Sequence, residues 1–212
     1  METEWDTLTV FAYPRVARSR RHGPWGYADY SLYKPWLRDE FQFRCVYCLC
    51  RERWFPDGDD AFSVDHLDPG SLAVRPAYEY ENLVYACCRC NSAKRDIAGL
   101  PDPCADPYGE HLVVSGDGSI RALTVTGQDL IGVCQLDRPT LIEFRRRMIN
   151  LGRILGARDA ETMAALRHRY FGYPDALPQL FRLRPPGGNR RPEGIAESYA
   201  RRQSRDELPD IY

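Results

Sequence analysis

At 212 residues and 43% hydrophobic composition the chain has enough apolar material for one domain or two small ones. No run of about eighteen apolar residues occurs, which excludes a membrane-spanning helix. The near-neutral net charge of −1 hides an asymmetry: residues 1–140 carry 15 basic and 21 acidic side chains (net −6), and residues 141–212 carry 14 and 9 (net +5).

Of the 29 basic residues 27 are arginine, whose planar forks suit phosphate. Charge therefore permits a nucleic-acid partner without requiring one. The first residues, METEWDTLTVFAYP, have acidic groups where a signal peptide needs basic ones, and no apolar h-region. The expected compartment is cytoplasmic, where eight cysteines serve as metal ligands and buried thiols rather than as a disulfide framework.

In chain order, residues 1–25 lack periodicity and read as an irregular arm with a basic cluster at Arg15, Arg18, Arg20 and Arg21. Aromatic and apolar residues at helical spacing predict a helix over Tyr27–Phe41, with Pro35 at its start or at a break; it completes an N-terminal unit, 1–40. FRCVYC reads as a strand and tight knuckle, FPDGDDA as turn chemistry, and FSVDHLDPG as a short strand. Residues 71–82 are expected to form a loop, or a loop with one turn of helix, ending at Asn82. LVYACCRC is apolar and closes on a second knuckle, and NSAKRDIAGL is expected to start a helix at Asn91 or Ser92 and stop at Gly99. Residues 41–100 thus form a strand–strand–helix core.

Beyond it, 101–184 reads as an extension. A hairpin turns at Gly116-Asp117-Gly118, a short helix is capped by Thr126, and a longer amphipathic helix places Leu141, Ile142, Met148, Ile149 and Leu155 at three- and four-residue steps. Its arginines, Arg145, Arg146 and Arg147, are interleaved with Phe144 and Met148, which favours packing over phosphate binding. Helical character continues to about Phe171. Residues 185–212, rich in Pro, Gly and Arg, are expected to be a mobile, disordered tail. The fold class is α+β.

The chemistry gathers in the core. Cys45 and Cys48 form one C-x-x-C pair, and Cys87 and Cys90 a second, a spacing that suits a tetrahedral structural zinc ion, Zn2+. Cys50 and Cys88 offer alternative ligands, but the two-residue spacing on both sides favours the first four. Cys104 and Cys134 lie outside such spacing and read as buried thiols. Between the pairs lie Asp65 and His66. Strand neighbours point to opposite faces, so His66 can address a water as general base while Asp65 addresses a metal. Asn91 adds an amide oxygen for a hard cation such as Mg2+ or Mn2+. Asn82 is placed to hold backbone near His66, and Lys94 with Arg95 could meet a phosphate backbone. His111 reads either as an extra ligand or phosphate contact, or as a histidine hydrogen-bonded in place, the commoner case.

The pattern C45-V-Y-C48, V-D65-H66-L-D-P, N82-L-V-Y-A-C87-C-R-C90-N91-S-A-K94 resembles the HNH endonuclease family in its variant with asparagine at the last position. The resemblance implies a ββα-metal core clipped by a four-cysteine zinc knuckle. It assigns His66 as general base, Asn82 as positioning residue, Asp65 and Asn91 as catalytic-metal ligands, and DNA as substrate. The lead-in HGPWGYADYSLYKPWLRDEFQFRCVYC is similar to HNH proteins that accompany an ATPase partner in Septu-type anti-phage systems. A rival is a non-catalytic zinc-ribbon module binding nucleic acid or protein. It would need the cysteines but leaves Asp65, His66, Asn82 and Asn91 without a joint purpose.

Overall fold

The computed structural model describes residues 10–70, 79–156 and 160–212. Its centre is an antiparallel hairpin of β2 (Phe62–His66) and β3 (Leu83–Cys87), in register from Phe62↔Cys87 to His66↔Leu83. All five β3 residues are buried, so this strand reads as a continuous apolar run rather than an alternating one. Helix α2 (Cys88–Lys94) follows β3 directly, with extended Cys87 at its N-cap. The helix starts three residues before the expected Asn91 and ends at Arg95, whose φ of 52° breaks it well short of Gly99. The cause is the knuckle: closing Cys87 and Cys90 into one turn forces helical backbone from Cys88 onward.

The first knuckle contains no strand. Arg44 and Arg51 form an isolated bridge, Cys45 N–H donates to the Cys50 carbonyl, and Leu49 takes a φ of 61° to close the loop. Val46 N–H then donates to the Tyr85 carbonyl, which docks this knuckle against β3.

Two short pieces replace the long N-terminal helix. Asp29 caps a 3-10 turn over Tyr30–Tyr33, and α1 (Lys34–Glu40) begins with Pro35 in its first turn, where a missing N–H costs nothing. The arm before them is held by its own arginines. Arg20 donates to the Leu83 carbonyl, Arg18 to that of Glu40, and Arg21 pairs with Asp39. The basic cluster is thus mostly spent on internal acceptors; Arg15 stays exposed.

The extension carries the hairpin β4 (Leu112–Val114) and β5 (Ile120–Ala122), then α3 (Val125–Cys134), α4 (Pro139–Gly156) and α5 (Ala160–Phe171). Gly118 has a φ of 86° and presses its turn on the α4 backbone at Ile142 and Arg146. The cap of α3 is Thr124, not Thr126: its hydroxyl accepts from Gly127 N–H at 3.1 Å.

The expected mobile tail is folded instead. β6 (Gly188–Asn189) pairs with β1 (Pro24–Trp25), and α6 (Glu193–Ala196) and α7 (Tyr199–Ser204) follow. Asn189 Oδ1 accepts from Gly23 N–H and Asp39 Oδ2 from Tyr199 N–H, while Tyr173, Tyr199 and Tyr212 surround Phe43. Composition suggested disorder because the anchors are few. They are aromatic, and each meets a partner more than a hundred residues away. No described helix is long and apolar enough to cross a membrane.

Candidate metal centre and active site

The four expected cysteines converge. Cys45, Cys48, Cys87 and Cys90 are buried, and their sulfurs lie within 4.8 Å of one another. A tetrahedral zinc ion with Zn–S bonds of about 2.3 Å needs sulfur–sulfur edges of about 3.8 Å; Cys48 Sγ and Cys87 Sγ are 3.8 Å apart. Sulfur hydrogen bonds from Cys45, Cys50, Cys87 and Cys90 hold the Cys48 thiol well below its ordinary range, whereas burial pushes Cys45 well above it. A zinc ion bound here would hold all four sulfurs as thiolates. The residues fit the ion. Cys50 is buried beside Cys48, Cys88 is exposed, and Cys104 and Cys134 are buried apart from the cluster.

His66 ends β2, one residue from Asp65, and the two face opposite sides of the hairpin. The Tyr30 ring meets the imidazole edge-on, centroids 4.7 Å apart, while itself staying 42% exposed. On the other face, Asp65 is 4% exposed. Its Oδ2 accepts from Tyr47 O–H at 2.6 Å, and its Oδ1 lies 3.4 Å from Lys94 Nζ. Burial raises the Asp65 carboxyl above its usual range, although Tyr47 and Lys94 pull the other way.

Asn82 sits in the 3-10 turn Tyr80–Asn82 before β3. Its amide oxygen accepts from Asp68 N–H at 3.0 Å and its amide nitrogen donates to the Asp68 carbonyl at 3.1 Å. Leu67 N–H donates to the Asn82 carbonyl as well, so Asn82 clamps the two residues after His66. Residues 71–78 of the intervening loop lie outside the described residues. From α2, Asn91 Nδ2 donates to Ser63 Oγ at 2.8 Å, and its amide oxygen makes no hydrogen bond among the described residues.

Lys94 departs from the sequence expectation. It is 0% exposed and donates to the His66 carbonyl at 2.7 Å, so it braces the hairpin instead of presenting a charge to phosphate. Arg95, one residue later, is exposed. Helical spacing put both on one face, but the helix ends between them and the positive φ of Arg95 turns its side chain away. His111 is hydrogen-bonded in place through both ring nitrogens, to Thr124 Oγ1 and Asp106 Oδ1, each at 2.8 Å.

Tyr47 and Tyr30 were not legible as site residues. Tyr47 lies inside the knuckle, where the cysteines dominate the pattern. Tyr30 lies well upstream and reaches His66 only through the fold.

For a hard divalent ion the donor types are right: one carboxylate and one free amide oxygen. The Asp65 carboxylate, however, already carries the Lys94 ammonium, which such an ion must displace or share.

Residues 45–96 match the family model described as HNH endonuclease. This segment is an HNH domain. The match begins at Cys45, the first clustered cysteine, and ends just past α2, about a quarter of the chain. It therefore takes in the hairpin, the helix and all four clustered cysteines. An HNH domain implies nuclease-type chemistry on a nucleic acid and binding of divalent metal. Comparison with curated proteins and with solved structures finds no match.

Proposed function

We propose that the chain is a metal-dependent endonuclease that hydrolyses DNA phosphodiester bonds, with His66 as general base. The observation that carries this reading is the HNH match at 45–96, laid over a hairpin that ends in Asp65-His66 and a helix that brings Asn91 to it. His66 takes a proton from the attacking water at a ring nitrogen. Asn82 and Lys94 fix the backbone at and just after it: Lys94 through the His66 carbonyl, and Asn82 through Asp68. Asp65 and Asn91 are the residues that would hold Mg2+ or Mn2+, which would neutralise charge on the scissile phosphate and leaving oxygen. Arg95 remains the phosphate contact at the end of α2. Lys94, being buried, is not one.

Zn2+ is the ion we assign to the four cysteines. Eight free cysteines suit a reducing compartment, hence the cytoplasm. The lead-in resemblance supports reading this nuclease as an anti-phage effector controlled by an ATPase partner, and on that reading the isolated chain is expected to be slow until the partner is present.

The test is cleavage of supercoiled plasmid by wild type and His66→Ala, with Mg2+ or Mn2+ and with a chelator, with and without a candidate ATPase partner. Metal-dependent nicking or linearisation that vanishes in His66→Ala supports the proposal. Equal cleavage by both proteins removes His66 as base. DNA binding without cleavage under every condition favours the zinc-ribbon binding module.

A further inference from the structure

The segment before α1 carries an exposed aromatic surface that the hydrolytic residues leave without a role. Exposed aliphatic side chains are scattered over the molecule, as on most proteins, and need no explanation. Exposed aromatic ones are not scattered. Among the described residues, the large hydrophobic side chains left in solvent include two aromatics, Trp25 at 45% and Tyr30 at 42%. Leu32, exposed as well, belongs to the same 3-10 turn as Tyr30.

Both rings are held in place. Asp29 caps the Tyr30–Tyr33 turn, and buried Tyr33 anchors it between Tyr27 and Tyr80, ring centroids 4.9 and 5.8 Å away. Trp25 sits in β1, paired with β6, and its indole lies so close to Gly187 that a Cβ there would meet it at 2.4 Å. The Arg190 guanidinium stands over the same indole, 5.4 Å from the ring centroid. Arg190 is exposed and makes no ion pair among the described residues.

Position points to the ligand. The Tyr30 ring is 4.7 Å from the His66 imidazole, so a nucleotide whose phosphate reaches His66 must pass the tyrosine. Trp25 is five residues upstream, and five extended residues span at most about 18 Å, the reach of a few nucleotides. Exposed rings beside an unpaired cation suit single-stranded nucleic acid: bases stack on the rings, and the arginine takes backbone charge. Bases in a duplex have their π-faces covered by their neighbours, and freeing one means unstacking the helix.

We propose that Tyr30 and Trp25, with Arg190, form a stacking surface for unpaired bases, so that the site takes single-stranded nucleic acid in preference to duplex. The inference deepens the nuclease reading and rests on it for the place of the scissile phosphate. Tyr30 holds the base next to that phosphate, and Trp25 holds one further along the strand. Stacking uses the face of the base, which DNA and RNA share, so both are arms of the test.

The experiment measures fluorescence anisotropy of labelled oligonucleotides of one length and mixed sequence: single-stranded DNA, single-stranded RNA and duplex DNA. The full chain is used without added divalent ion, so that binding is read apart from cleavage. Cleavage of the same probes with Mg2+ or Mn2+ is measured separately. Trp25→Leu and Tyr30→Leu keep apolar bulk and remove the ring, whereas Trp25→Phe and Tyr30→Phe keep a ring. Arg190→Gln removes the exposed charge, and Val125→Ala and Ile154→Ala are exposed apolar controls in the extension. Thermal unfolding checks each fold. Trp25 packs on Gly187, so Tyr30→Leu and Arg190→Gln carry the test if Trp25→Leu does not fold.

Wild type is expected to bind a single strand at least about tenfold tighter than the duplex, and each leucine variant to weaken that binding roughly tenfold. The phenylalanine variants and the controls should bind as wild type does, and Arg190→Gln should flatten the salt dependence. Duplex bound as tightly as either single strand overturns the inference, and so does single-strand affinity unchanged in the folded leucine variants. Ring-dependent binding of single strands by a chain that cleaves no probe removes the nuclease reading and leaves the stacking surface standing.

Discussion

Lys94→Met is the sharpest test of how the candidate site is braced. The substitution keeps the length of a side chain that is wholly buried and removes its charge, so little cavity is created. Two interactions disappear: the bond from Nζ to the His66 carbonyl at 2.7 Å and the pairing with Asp65 Oδ1 at 3.4 Å. Breaking a buried ion pair by deleting one partner costs about 3–5 kcal/mol. The 3.4 Å separation is long, so the lower end applies, about 3 kcal/mol.

At about 2–4 °C per kcal/mol for a chain of this size, Tm is expected to fall by about 6–12 °C at fixed zinc. Thermal unfolding by circular dichroism measures it. Adding Asp65→Asn to Lys94→Met should recover part of the loss, because the uncompensated carboxylate is then gone. A Tm within about 2 °C of wild type, or a double variant less stable than Lys94→Met, would refute the buried-pair argument.

The remaining predictions concern the neighbours of Lys94. Asp65 is raised by burial, so its folded-state pKa lies above the unfolded value of about 3.9. Its stabilising contribution is present in full below the unfolded pKa and fades as pH rises through the folded one, opposite in sign to an ordinary salt-bridged aspartate. Carboxyl NMR should place its midpoint above about 3.9, and a midpoint at or below that value would contradict the structure. Asn82→Ala removes two hydrogen bonds to the Asp68 backbone and is expected to cost about 1–3 kcal/mol in chemical denaturation. In the cleavage assay it should lower kcat more than it raises KM, whereas an unchanged kcat would free Asn82 of any positioning role. Tyr30→Phe should leave His66 ring resonances and cleavage rate unchanged, while Tyr30→Ala, losing an edge contact of about 0.5–1.5 kcal/mol, should shift the resonances and slow the reaction. Equal behaviour of the two variants would show that the ring does not orient the imidazole.

The four-cysteine knuckle and the strand–strand–helix order were legible in the sequence because both depend on local chemistry. Ligand spacing of two residues, a five-residue apolar strand and an Asp-His step that alternates across it leave few geometries open. The fates of individual cations were not legible. Lys94 and Arg95 are adjacent and chemically alike, yet one is buried against Asp65 and the other is in solvent, a difference made by a single backbone angle at the end of α2. Arg20 and Arg145 likewise look like surface charges until the carbonyls of Leu83 and Gly118 are placed beside them.

The C-terminal residues show the same limit at longer range. Their composition predicts a free tail, whereas Trp25, Phe43 and Asp39, distant in sequence, give it a strand partner, an aromatic seat and a backbone acceptor. Spacing along the chain thus determined which atoms can share a metal, since ligand geometry is a local constraint. Only the tertiary structure decided which charges are compensated and which segments are held, because a counter-charge or a packing surface can come from any point in the chain.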